Sequence, residues 1–68
     1  MLKYDKLFEL LAAQGKAPTN WLRQNGIHAM TVNALRKGES VRTESIDRIC
    51  ALLDCQPGDI MEYVPKVD

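Results

Sequence analysis

Apolar residues recur with a helical period from the start of the chain. Tyr4, Leu7, Phe8 and Leu11 stand at i, i+3, i+4 and i+7, the positions that share one face of a helix. Gly15 follows where a helix end favours a left-handed residue. Pro18 suits the first position of a second helix. That helix carries Trp21 and Leu22 and should end near Asn25–Gly26. A third runs from about Ala29 to Lys37, with His28 or Gly26 near its start and Gly38 as its stop. Ile46, Ile49, Cys50 and Leu53 repeat the i, i+3, i+4, i+7 stripe and mark a fourth. Thr43 is its expected N-cap, and Glu44 and Asp47 complement the positive end of its dipole. Pro57 opens a last short turn, residues 62–65 read as extended, and a short strand at Leu2–Tyr4 is expected to pair with Met61–Val64. There is no internal repeat or linker, and the connections are short, so residues 1–68 read as one all-α domain.

Composition narrows the class. At 46% apolar and 26% charged residues the chain is too apolar for disorder. No apolar run approaches the roughly 20 residues of a membrane span. Asp5, Lys6 and Glu9 interrupt the N-terminal apolar residues, so no export signal is read and the expected location is the cytoplasm. A domain this short buries only about 60% of the surface its unfolded chain exposes, so a partner or dimer contact would help it.

Candidate chemistry is sparse. Cys50 and Cys55 read as small buried apolar groups, because a disulfide at this spacing needs unfavourable geometry. With one histidine, His28, the chain lacks the ligands of a zinc site. A nucleophile and base would need Cys50 or Cys55 beside His28, the carboxylates are scattered, and there is no phosphate-binding glycine loop. No enzyme, cofactor or small-molecule ligand is expected.

Net charge is zero, yet it is unevenly spread. Residues 1–15 balance. Residues 16–42 hold five basic residues (Lys16, Arg23, Arg36, Lys37, Arg42) against Glu39 alone. Residues 43–68 reverse the sign, with Arg48 and Lys66 against six carboxylates. A phosphate backbone responds to the local field of the middle segment more than to the total. In that segment Asn25–Gly26–Ile27–His28 joins two helices in a tight turn that needs a residue tolerant of positive φ, and Ile27 plugs the gap. Val32 and Leu35 face inward from the third helix, which leaves His28, Ala29, Met30, Asn33, Ala34 and Lys37 on its outer face.

The order Trp21, Leu22, Gly26, Ile27, Val32, Leu35, Gly38, followed by "SIDRICALLDCQPGDIMEYVP", resembles the lambda-repressor-like helix-turn-helix domains of Cro/Xre-type bacterial and phage regulators over roughly residues 4–65. The resemblance implies a compact five-helix fold with a helix-turn-helix at about 18–37, double-stranded DNA as partner, and the third helix in the major groove. Carried over by position, it makes Ala29, Met30, Asn33, Ala34 and Lys37 the base-facing candidates. Backbone contacts would come from Lys16, Thr19, His28, Thr31, Arg36, Ser40 and Arg42, and from the helix start around Ala17 and Pro18. Three positions depart from the family pattern. Pro18 replaces a glutamine that touches the backbone, Leu22 replaces a small alanine that lets the two helices pack closely, and Asn33 is the lone amide on the reading face.

The resulting base code is short: Asn33 for adenine, Lys37 for guanine or phosphate, and Met30 or Ala29 for thymine methyls. The same apolar outer face fits an alternative, a protein-interaction module with little DNA readout. Trp21 reads as core. Relatives suggest a homodimer through the C-terminal segment, with Ile60, Met61, Tyr63 and Val64 as exposed candidates.

Overall fold

The strand at the start of the chain closes on its end. In the computed structural model, which describes residues 1–65, β1 (Leu2–Lys3) pairs antiparallel with β2 (Glu62–Tyr63). Leu2 stands opposite Tyr63 and Lys3 opposite Glu62, so the pair carries one apolar and one oppositely charged cross-strand match. Between the strands run α1 (Asp5–Ala13), α2 (Pro18–Gln24), α3 (Ala29–Lys37), α4 (Thr43–Leu53) and a single 3-10 turn (Pro57–Asp59). The mostly helical fold and the terminal strand pair are as expected, but among the described residues the α-helices number four and not five. The last helical segment has only Pro57, Gly58 and Asp59 before the chain must extend into β2. It is held instead by its own ends, the Gln56 N–H donating to Asp59 Oδ2 at 2.9 Å in a reciprocal capping arrangement.

The predicted stripes are the buried ones. Tyr4, Leu7 and Leu11 from α1 and its cap, Leu22, Ile27, Val32, Leu35, Ile46, Ile49 and Ile60 form one core cluster. Phe8, Trp21, Val41, Cys50 and Leu53 pack against it half-buried. Ile60, expected on an exposed dimer surface, is fully buried instead. With half-buried Met61 packed beside the same core, it anchors the C-terminal segment there.

All four α-helices end in the same way. An N–H five residues on returns to a carbonyl of the last turn: Lys16 to Leu11 at 3.0 Å, Ile27 to Leu22 at 3.0 Å, Glu39 to Ala34 at 2.8 Å and Cys55 to Cys50 at 3.1 Å. The reversing residue is glycine in the first three and Asp54, at φ 52°, in the fourth. At the other end of α4, Thr43 is already helical. Arg42 is the N-cap, with no side-chain cap bond. The Ser45 and Ile46 N–H groups donate to the Arg42 carbonyl, so the hydroxyl expected to cap the helix is not in the capping position.

Candidate nucleic-acid interface

The turn between α2 and α3 sets the geometry of the interface. Asn25 closes α2 twice: its N–H and its side-chain Nδ2 both donate to the Trp21 carbonyl, at 3.1 and 2.8 Å. Gly26 then takes φ +88°, its N–H donating to Arg23 at 3.1 Å while Ile27 donates to Leu22. Leu22 and Ile27 are both buried, so the apolar contact that accompanies this motif also anchors the turn in the core. His28 is the N-cap of α3. Its Nδ1 accepts from the Met30 N–H at 3.1 Å, which ties the exposed imidazole to the helix start.

Arg48 is a part of this turn that sequence reasoning missed. From α4 it reaches back, donating from Nη2 to the Asn25 carbonyl at 3.2 Å. Its guanidinium occupies the space over Gly26, where a Cβ would meet it. It thus fixes α4 to the end of α2 across 23 residues of sequence. No local pattern announces such a contact, since Arg48 reads along the chain as one more exposed charge on an amphipathic helix.

Val32 and Leu35 of α3 are buried as expected, and the outer stripe is open. Met30 is 74% exposed, Asn33 and Lys37 are exposed beside it, and Ala29 and Ala34 flank the stripe half-buried. One shallow cavity of about 320 Å³ brings Met30, Thr31 and Ala34 against Ser40 and Arg42. Five of the candidate residues, from α3 and from the connection to α4, therefore converge. Glu39 lines the same cavity, and Glu44 and Asp47 line the neighbouring one with His28 and Thr31. Basic and acidic side chains are therefore interleaved here, Arg42 beside Glu39 and Arg48 beside Glu44 and Asp47.

Three candidates lie apart. Arg36 sits on the flank of α3 that faces α1, sharing a cavity with Asp5, Phe8 and Glu9. Lys16 is half-buried, with its amine 5.6 Å from the Trp21 ring centroid and 2.7 Å from Gln14 Oε1. The ammonium is thus already engaged in a cation–π contact. Thr19 is half-buried in the first turn of α2. The Cys55 thiol is pushed above its usual value by burial, then by the neighbouring Cys50 and the carboxylates of Asp59 and Asp54. Among the described residues no group of three or more His, Cys, Asp or Glu could hold a metal ion, and no helix is long and apolar enough to cross a membrane.

Two helices joined by a glycine turn, the second exposing a stripe beside basic residues, define a helix-turn-helix protein. The chain belongs to the family of Cro/C1-type HTH DNA-binding domains, whose model matches residues 6–66. It is 34% identical over 56 residues to YozG, an HTH-type transcriptional regulator of Bacillus subtilis (strain 168), a match covering 79% of this chain and 67% of that protein. Its fold is similar to the crystal structure of the transcriptional regulator VanUg, with a TM-score of 0.87 and 31% identity, covering 96% of this chain and 87% of that one. The family is one of DNA-binding regulators of transcription.

Proposed function

We propose that residues 1–68 act as one cytoplasmic unit that prefers particular double-stranded DNA sequences, lays α3 in the major groove and regulates transcription by binding alone, without catalysis. The observation that carries this reading is the convergence of Met30, Thr31 and Ala34 with Ser40 and Arg42 in one cleft beside exposed Asn33 and Lys37. Asn33 is matched to adenine, Lys37 to guanine or phosphate, and Met30 and Ala29 to thymine methyls. Ser40, Arg42, His28 and Thr31 suit phosphates. Lys16, Thr19 and Arg36 are peripheral contributors, because Lys16 is engaged with Trp21 and Arg36 shares its cavity with Asp5 and Glu9. So few base contacts make modest specificity the expectation, with DNA shape contributing.

Fluorescence anisotropy tests this, using the duplex upstream of the chain's own gene, a scrambled duplex of equal length and two salt concentrations. The native duplex should bind more tightly, with a steep salt slope. Asn33→Ala should cost about 1–3 kcal/mol on the preferred sequence only. Arg42→Ala should weaken both duplexes alike and flatten the salt slope by about 1. Binding to neither duplex at low salt, with Met30→Asp abolishing capture of another protein, would replace this reading with that of a protein-interaction module, which the 74% exposure of Met30 favours.

A dimer on two half-sites about one helical turn apart goes with this function. Its surface is argued from the strand pair: Tyr63 is 69% exposed and stands opposite exposed Leu2, with exposed Met1 beside them. Met61 and Val64 contribute only their half-exposed edges. Sedimentation should give a dimer at micromolar concentration that Tyr63→Asp returns to monomer. A wild-type monomer at high micromolar concentration, with and without DNA, would remove the dimer.

A further inference from the structure

The end of α4 gathers sulfur. Asp54 reverses the chain in the left-handed conformation, and the returning Cys55 N–H bonds the Cys50 carbonyl at 3.1 Å. Both cysteines are free and half-buried. They line one cavity of about 460 Å³ together with Met61, and its remaining wall includes Ile46, Pro57 and Thr43. Three sulfur-bearing residues from α4, the turn after it and the approach to β2 thus line one mostly apolar hollow that the DNA reading does not use.

We propose that this hollow is a binding site for a soft, thiophilic monovalent cation of the Cu(I) type, held between Cys50 and Cys55 with the Met61 thioether as a supporting ligand. The donor set decides the metal class. Thiolate and thioether sulfur select Cu(I), whereas imidazole, carboxylate and water suit harder or borderline ions. A structural zinc site takes four protein ligands, and no group of three or more His, Cys, Asp or Glu is available among the described residues. Binding exchanges the two thiol protons for one cation, so it places positive charge where two thiolates alone would repel. Asp47, in the same wall, adds negative potential that draws a cation toward the mouth. Because its ligands come from α4 and from the segment leading to β2, the bound ion would cross-link the C-terminal segment to the helix that also carries Arg48.

The test uses the full chain, fully reduced and kept anaerobic, titrated with Cu(I) against the chelator bicinchoninate. One Cu(I) per chain, an upward shift of the melting temperature on loading, and a sulfur-only first shell by X-ray absorption are expected. Cys50→Ser and Cys55→Ser should each lose stoichiometric binding. Met61→Leu should keep the stoichiometry and yield the ion at lower chelator concentration. Zn(II) at the same concentration should leave the melting temperature unchanged. Circular dichroism of each metal-free variant first establishes that it is folded. The X-ray absorption arm on wild-type protein needs no variant at all. Undiminished binding in either serine variant, nitrogen or oxygen ligands in the first shell, or no stoichiometric binding to protein with both thiols reduced would overturn the site.

Discussion

Leu22→Ala should destabilise the protein by about 2–5 kcal/mol, the range for truncating a buried leucine, although alanine is what the resemblance to Cro/Xre-type domains favours at this position. Leu22 is wholly inaccessible to solvent in the core cluster. Its carbonyl also accepts the Ile27 N–H that closes the turn. Truncation would leave a cavity at the α2–α3 corner, in a core that has packed around the larger residue. The loss is large for the molecule: at roughly 0.05–0.15 kcal/mol per residue, a chain of this length has only about 3–10 kcal/mol of stability in all. Urea unfolding read by Trp21 fluorescence measures it. Leu22→Met should cost less than about 1.5 kcal/mol, because volume is nearly kept. An alanine variant as stable as the parent would mean that α2 and α3 close up around the smaller residue, and that the bulk of Leu22 is incidental.

Gly26→Ala should cost about 2–3 kcal/mol, from two separable sources. A side chain at φ +88° pays roughly 1–2 kcal/mol for the left-handed backbone. The new methyl also displaces the Arg48 guanidinium from the Asn25 carbonyl, a hydrogen bond with a net contribution of about 1 kcal/mol. The second part vanishes when the arginine is already gone. Gly26→Ala should therefore be milder by about 1 kcal/mol in an Arg48→Ala background, a coupling that a double-mutant cycle resolves. Strict additivity would show that the guanidinium moves aside freely and that only the backbone matters. Arg48→Ala alone should also loosen the α2–α3 turn, visible as faster hydrogen exchange at the Gly26 and Ile27 amides.

Sequence and structure divide the description by the range of the forces involved. Helical stripes such as Tyr4, Leu7 and Leu11, the stop at Gly38, and the inward pair Val32 and Leu35 depend on periodicities of 3.6 residues and on local backbone preference. All were legible along the chain. The α3 boundaries followed for the same reason. So did the outer stripe, since the residues that do not face the core must face solvent.

Capping was less legible. Thr43 and Arg42 differ by one position, a shift that propensity does not resolve but hydrogen bonding does. The fifth helix shrank to a 3-10 turn because β2 has to reach β1, a demand placed on residues 57–59 by the other end of the chain.

The sequence by itself determined which faces are apolar, where the helices stop and which segment is basic, because each follows from a few neighbouring residues. The tertiary structure alone decided the long-range juxtapositions. It buried Ile60, sent Arg36 to the flank of Asp5 and Glu9, engaged Lys16 with Trp21, brought Arg48 over Gly26, and set Met61 in one cavity with Cys50 and Cys55. Such contacts depend on how helices cross in space, and a side chain's spacing along the chain carries no information about a partner on another helix.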